Sequence, residues 1–423
     1  MKKTKILLMM TLIIALILCP FSGAGMVVKA ADEGVPDVKM EFINVCPKDG
    51  KADATLIQAN KELVLVDCGA TNEKTYKELK KRIKVRYLDA VGQEALGKNE
   101  KIKIKAIIIT HNHIDHMGAL SKMLKDADFK IEQVCYSAVK ETKKYKGSRL
   151  ESIDKAVKKK GLKVKKMKSL PKSSKCKEDD LKPYIIRLGG TDVKVYRTIN
   201  KADYINITDN DAKKETLVAN NRSMIVRVVT NNAYVDKVNA NSENTKITTK
   251  SGMNALLLGD ICINGLVAAK NVYGSKIFSL QKEYKICKFG HHGDRPSSCW
   301  HKTVKMSELK KRNKSLKDSK LSFWKKSSST KETYVDSEIR FYNEYIGASY
   351  YVFDTTNGAI QKESKSCVAA YNKFIGGSLK TSSNEKSTCV KLGNLFHMYP
   401  SMELKRASIS TGESTDCVKL KKK

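Results

Sequence analysis

Thr110-His111-Asn112-His113-Ile114-Asp115-His116-Met117-Gly118 is the stretch on which the reading of this chain turns. Three histidines and one carboxylate fall within six residues, directly after the apolar run Ala106-Ile107-Ile108-Ile109. Neutral imidazole and carboxylate are natural ligands of zinc and similar divalent ions. The apolar run reads as a buried strand, and the stretch after it as a loop running into a helix over Met117–Asp126. In an extended turn alternate side chains point the same way, so His111 and His113 can share one ion. Asp115 and His116 begin the next turn and face a second ion.

Four donors from one loop do not complete two sites. Leu256-Leu257-Leu258-Gly259-Asp260 is a buried-type strand ending in a carboxylate, placed to bridge two metals. Lys288-Phe289-Gly290-His291-His292-Gly293 again ends an apolar segment in imidazoles. Five of the seven histidines lie in these motifs, and the remaining two, His301 and His397, have no ligand-like neighbours. Two ions about 3.5–4 Å apart stabilise an in-line displacement. The expected cofactor is therefore a pair of divalent ions, zinc first and manganese as the alternative.

Further from the motif, strands are expected at Met40–Val45, Ala54–Gln58, Leu63–Val66, Lys103–Ile109, Val193–Tyr196, Ser223–Val229 and Ala255–Leu258. Helical spacing of apolar residues marks Glu73–Arg86, Met117–Asp126 and Ser148–Lys160. The fold class is α/β with at least two sheets, the chemistry sitting in turns at strand ends. Asn231–Lys250 reads as a polar excursion inside a hairpin, and Lys302–Lys331 as a Lys/Ser-rich mobile loop or lid. Residues 363–423 read as a small Lys/Ser-rich appendix outside the catalytic core.

Taken together these motifs resemble the metallo-β-lactamase superfamily, whose second motif is HxHxDH. The GD and GHHG elements are more narrowly similar to the hydrolase domain of bacterial DNA-uptake channel proteins and their secreted relatives. Asp53-Ala54-Thr55-Leu56-Ile57, Leu65-Val66-Asp67-Cys68-Gly69, Asn220-Asn221-Arg222-Ser223 and Asn357-Gly358-Ala359-Ile360 resemble further family elements in the right order. The likeness covers roughly residues 40–362. It implies an αββα metallo-β-lactamase sandwich with a dinuclear site at one edge, spanning residues 31–362. His111 and His113 would hold the first metal; Asp115 and His116 would hold the second, with Asp260 bridging and His292 completing it. His291 would contact the leaving or phosphoryl group, its role exchangeable with that of His292. Asp67 would orient a ligand histidine, so Asp115, His291 and Asp67 are the catalytic candidates. Asp53 is read as a structural turn partner and left out of the site. No histidine occurs from Met117 to Gly290, so the first metal lacks the third imidazole that many superfamily members supply.

The N-terminus carries Lys2, Lys3 and Lys5, then an apolar run from Ile6 to Cys19, then Val28-Lys29-Ala30 before Ala31. That order describes a secretory signal peptide over residues 1–30, too short in its core to span a membrane. A lipid anchor at Cys19 is the alternative, disfavoured by bulky Leu18. The expected destination is secretion or the cell wall. Lysine and arginine number 80 against 45 acidic residues, giving +35; removing four signal lysines leaves +31 (35 − 4). Such a field favours polyanionic partners, nucleic acid or wall teichoic acid, although a generally lysine-solvated surface gives the same count. None of the eleven cysteines forms a CxxC pair, which argues against a zinc ribbon or thioredoxin-like site. Cys46, Cys68, Cys262 and Cys287 read as buried thiols, and export permits disulfides among Cys367, Cys389 and Cys417.

The reaction class is hydrolysis: a metal site lowers the pKa of bound water, and no nucleophile elbow, P-loop or dinucleotide fingerprint points elsewhere. The leading expectation is phosphoester hydrolysis of a polyanion, DNA or teichoic-acid type. Hydrolysis of a β-lactam, lactone or thioester is the alternative, and a non-catalytic wall- or polyanion-binding protein is the third.

Overall fold

A computed structural model describes residues 38–43, 52–92, 97, 100–138, 149–207, 219–230, 233–237, 247–251, 254–284, 286–293, 305–325, 334–348, 350–354, 389–392, 395–398 and 408–410. Residues 1–30, expected as a signal peptide, and Cys46, Cys367, Cys417, His301 and the turn expected at Asn357–Ile360 lie outside the described residues.

Chain order in the first half is β1 (Val38–Phe42), β2 (Thr55–Ala59), β3 (Glu62–Val66), α1 (Glu73–Val91), β4 (Ile102–Ile104), β5 (Ala106–Ile109), α2 (Ile114–Met117) and α3 (Leu120–Lys125). There follow β6 (Phe129–Ile131), β7 (Gln133–Ser137), α4 (Arg149–Lys159), β8 (Lys163–Met167), β9 (Tyr184–Leu188), β10 (Thr191–Tyr196) and β11 (Ile225–Thr230). The second half continues with β12 (Ala233–Lys237), β13 (Ile247–Ser251), β14 (Asn254–Leu257), α5 (Ile263–Tyr273), β15 (Ile286–Lys288), α6 (Met306–Arg312), α7 (Ser322–Lys325) and α8 (Tyr334–Tyr345). Strands β16 (Tyr350–Asp354), β17 (Cys389–Leu392), β18 (Leu395–Met398) and β19 (Ser408–Ser410) close the order.

Two large sheets form, ordered β19-β1-β2-β3-β5-β7-β8 and β17-β18-β16-β15-β14-β11-β10-β9. Both faces of the central strands are apolar because each sheet is covered twice. On β3 and β5, Val64, Val66, Ala106 and Ile108 point between the sheets, meeting Val195, Val226, Ala255 and Leu257. The alternate residues Leu63, Leu65, Ile107 and Ile109 point outward under Leu79, Ile83, Met123 and Val157 of the helices. On the second sheet Leu256, Leu258 and Cys287 lie under Leu266, Val267, Trp324 and Phe341. The result is the αββα layering expected from the motifs, and period-two alternation explains why β3, β5 and β14 read as continuous apolar runs.

Strand direction fixes where the site falls. Strands β3, β5, β7 and β8 are mutually parallel, so their carboxyl ends share one edge of the first sheet. Parallel β14 and β15 end at one edge of the second sheet. The hydrogen bond from Met224 N to Thr110 O (2.9 Å) brings those edges together. Helix α1 starts where Asn72 Oδ1 accepts the Thr75 N–H at 2.8 Å, a side-chain cap on otherwise orphaned donors, and stops at Gly92 with φ 97°.

Several expectations need adjusting. The helix expected at Met117–Asp126 is two short pieces, α2 and α3, starting earlier, and the strand expected at Lys103–Ile109 is split into β4 and β5 at Lys105. Within the excursion expected at Asn231–Lys250, lying between paired β11 and β14, the described residues form β12 paired antiparallel with β13. The stretch Lys302–Lys331 is not a loop over its described part. Helices α6 and α7 occupy it, and Leu309, Leu321, Phe323 and Trp324 are buried in the helical layer, because four apolar side chains anchor it despite the lysines between them. From residues 363–423, β17 and β18 extend the second sheet past β16, and β19 pairs with β1. Cys68, Cys262 and Cys287 are buried free thiols, as read. Among the described residues no helix is long and apolar enough to cross a membrane.

Candidate metal centre

Chain segments from both sheets deliver the site. Strand β3 ends in Asp67, held at φ 60°, a conformation unusual for a residue with a side chain. Its carboxylate accepts the Thr110 N–H at 2.8 Å on Oδ1 and the Thr110 hydroxyl at 2.7 Å on Oδ2, tying the ends of β3 and β5 together. Gly118, just past α2, packs against backbone: a Cβ there would lie 2.4 Å from Ile114 O and 2.5 Å from Thr71 N. On the second sheet Asp260 follows Gly259 (φ 54°), where a Cβ would meet Ser223 Cβ at 2.8 Å and Thr110 Oγ1 at 3.0 Å. Ser223 Oγ accepts the Asp260 N–H at 3.0 Å and donates to Asn220 O at 2.8 Å. The NNxS element thus holds the loop bearing the carboxylate. After β15, His291 and His292 both sit in the left-handed region (φ 49° and 56°), backbone strain of the kind that collects at functional sites.

These segments converge. The ligand atoms of Asp53, His116, Asp260 and His292 all lie within 4.8 Å of one another, as do those of His111, His113 and Asp260. Asp260 belongs to both groups. Its Oδ1 is 3.0 Å from His116 Nε2 and 3.6 Å from His292 Nε2, and its Oδ2 is 3.5 Å from His111 Nε2. Asp115 lies beside the second group, its Oδ2 3.3 Å from His292 Nε2. His291 is next to the cluster and only partly buried. Asp67 stands behind it, its Oδ2 2.8 Å from His116 Nδ1. An ionised carboxylate only accepts, so Nδ1 carries a proton and Nε2 is the ring nitrogen aimed at Asp260 and the centre.

Asp53, set aside from the sequence as a turn partner, is part of the cluster. It is buried, with Oδ1 3.2 Å from His292 Nδ1 and Oδ2 3.5 Å from His116 Nδ1, and it pairs with the buried ammonium of Lys288. The backbone repeats the link: Asp53 N donates to Asp115 O at 3.0 Å, and Gly69 N to Asp53 O at 2.7 Å. Lys288 was likewise missed, being one lysine in a lysine-rich chain; its place two residues before Gly290, at the end of an apolar strand, was the available signal.

The electrostatics suit cations. Burial alone would push the carboxyl of Asp260 up, but His116, His292 and His111 together hold it well below the ordinary range. Burial disfavours a charged His116, yet Asp260, Asp53 and Asp67 outweigh that and raise its pKa well above normal. His292 is raised to about 9 by the same contest, Asp260 and Asp53 prevailing over burial. His111, dominated by burial and by His116, is depressed well below the ordinary value and stays neutral. Four carboxylates, Asp53, Asp67, Asp115 and Asp260, surround the centre, and among the described residues the permanent cation paired with them is Lys288. That leaves about −3 with neutral imidazoles (−4 + 1), a deficit that two divalent ions offset and that burial would otherwise penalise severely. His111 Nε2, His116 Nε2 and Asp260 Oδ1 are buried without hydrogen-bond partners while facing one another. Imidazole and carboxylate donors in that state fit divalent metal, with His111, His113 and Asp260 in one position and Asp53, His116, Asp260 and His292 in the next.

Residues 47–163, which contain the HxHxDH motif, match the family model of the Metallo-beta-lactamase superfamily. The match covers about a quarter of the chain, and the two-sheet sandwich with its His/Asp cluster at one edge is consistent with the metallo-beta-lactamase fold. Among solved structures the chain is similar to the metallo-beta-lactamase fold protein YhfI from Bacillus subtilis (11% identity, 60% of this chain and 70% of that one, TM-score 0.32). It is also similar to ST1585 from Sulfolobus tokodaii (18%, 52% and 62%, TM-score 0.24). A long form RNase Z from yeast (10%, 60% and 32%, TM-score 0.33) is a further likeness, of which the chain spans about a third. No curated protein matches. The narrower likeness to DNA-uptake hydrolases has no counterpart in these comparisons.

Proposed function

We propose that this protein is an exported, metal-dependent phosphoester hydrolase acting on a polyanion, of the same broad kind as the secreted relatives of DNA-uptake hydrolases. The observation carrying the hydrolase reading is Asp260, one carboxylate shared by two adjoining donor groups, each with imidazoles but no thiolate. Structural zinc sites are closed and usually built with cysteine, whereas His/Asp sets with open positions are the catalytic kind. The polyanion reading rests on the net charge of +35, and the export reading on residues 1–30.

A divalent ion bound there supplies Lewis acidity, making water a nucleophile near neutral pH and polarising the ester oxygen. The chain's own residues do the rest. Asp67 keeps the proton of His116 on Nδ1, and Asp53 faces Nδ1 of His292, so both rings present Nε2 inward. Lys288 holds Asp53 in that orientation from below. Asp115, beside His292 and less buried than the rest, and His291, at the open side, are assigned to the reacting phosphoryl group and its leaving oxygen.

The test is metal content measured together with bis-p-nitrophenyl phosphate hydrolysis, for the protein and for Asp260→Ala. Two equivalents of metal with hydrolysis lost in the variant is the expected result. Bound metal without phosphodiesterase activity would move the bond to a lactam, lactone or thioester, and a protein that takes up no metal would overturn the hydrolase reading.

A further inference from the structure

Between Lys155 and Lys177 the chain has eleven lysines and no acidic residue, in a molecule with 45 acids against 80 bases. All eleven are exposed. They fall on the second half of α4, the turn at Gly161, the edge strand β8 and the loop that follows it. Among the described residues only Lys166 of this set makes an ion pair, with Asp154 at 2.7 Å. Edge strands commonly carry lysines to prevent edge-to-edge pairing, which accounts for Lys163, Lys165 and Lys166. It does not account for the lysines of α4 before the strand, nor for Lys168, Lys172, Lys175 and Lys177 after it.

The ridge has a direction. Because β8 runs parallel to β7 and β5, its carboxyl end lies at the same sheet edge as His111–His116, two strand spacings or about 10 Å away. The loop beyond is fixed there. Arg197 Nη2 donates to Ser169 O at 2.7 Å, Leu170 N donates to Thr198 O at 2.8 Å, and Ser173 N donates to Asp203 Oδ2 at 2.8 Å. The next residue, Tyr204, donates through its hydroxyl to Asn221 O at 2.7 Å, and Asn221 Oδ1 accepts the Cys262 N–H beside Asp260. The lysines therefore follow the edge strand toward the sheet edge that carries the His/Asp cluster, and the loop after it is tied through Asp203, Tyr204 and Asn221 to the segment bearing Asp260.

We infer that this ridge is the docking track for a flexible, base-free polyphosphodiester, a polyol-phosphate chain, led toward the site. Two features select that occupant. The side chains are lysines without a single arginine, compact point charges suited to phosphates and not to forked base recognition. Single-stranded nucleic acid is held on aromatic stacking platforms, and no large aromatic is exposed among the described residues. The inference rests on the phosphoester reading for what happens to the bound chain, not for the binding itself.

The test replaces Lys163, Lys165, Lys168 and Lys172 together by glutamine. Binding of poly(glycerol phosphate), of single-stranded DNA and of duplex DNA is followed against salt, alongside bis-p-nitrophenyl phosphate hydrolysis. Poly(glycerol phosphate) is expected to bind the unaltered protein most tightly. In the variant its affinity should fall at least ten-fold, and its log–log salt slope by about 3, at about 0.7 per phosphate contact. Hydrolysis of the small ester should be unchanged. Unaltered affinity and slope in the variant would overturn the ridge, and tighter binding of either DNA would overturn its occupant. Ridge-dependent binding by a protein inactive on the small ester would support the track while removing the phosphoester reading.

Discussion

Asp53 carries more of the site than its place in the chain suggests. It touches His292, His116 and Lys288 at once, so Asp53→Asn should do two separable things. Metal affinity should fall about 10–100-fold as the histidines lose their orienting partner, read by competition with a chromophoric chelator. Stability should fall by up to about 3–5 kcal/mol in metal-free denaturant titrations, because buried Lys288 loses the carboxylate it pairs with. If stability alone moves, Asp53 is a counter-ion and not part of the metal site. The histidine-rich stretch, Asp67, Asp260 and the GHHG turn were legible because donor-rich turns after apolar runs have a local signature. Asp53 has none, and Lys288 has only its place at the end of an apolar strand. Their meeting depends on β2 and β15 coming from opposite sheets, and an aspartate before a strand or a lysine among 80 basic residues looks ordinary until the sheets are stacked.

At the scale of elements, the loop after β15 is held by helix α8. Gly290 N donates to the Tyr342 hydroxyl at 2.9 Å, and the Tyr342 ring stacks on Phe289 with centroids 3.9 Å apart. Tyr342→Phe keeps the stack and orphans a buried N–H, so thermal unfolding should report a loss of about 1–3 kcal/mol. The same variant should bind its second metal equivalent more weakly; an unchanged titration would mean the strained histidines hold their place without α8. One turn earlier, burial raises buried Glu338 to about 8 from an ordinary 4.5. The folded state then holds a proton that the unfolded chain has released, so this contribution is intact below pH 4.5 and lost as pH rises through about 8, at up to about 1.4 kcal/mol per pH unit. Glu338→Gln should flatten that decline in urea midpoints taken across the window; an unchanged slope would mean that Glu338 is not the source. Central strands were readable because burial on both faces leaves unbroken apolar runs. Helices α6 and α7 were not, since lysines separate Leu309, Leu321, Phe323 and Trp324 and their anchoring appears only once the second sheet presents a face to cover.

For the molecule as a whole, the negative centre within a strongly basic chain makes metal loss a global event. Chelation should lower the melting temperature, and returning metal at about 100 times its Kd should restore about 2.7 kcal/mol, read by calorimetry. A melting curve indifferent to chelator would mean that the carboxylates are neutralised by protons instead. The ligand set also has a mechanical meaning. His111, His113 and His116 hang from one sheet, Asp260 and His292 from the other. An ion between them is a bolt through two plates. Sliding one sheet across the other shears coordination bonds as well as the greasy contact between them, so resistance to slippage should rise steeply on loading while resistance to bending within either sheet hardly changes.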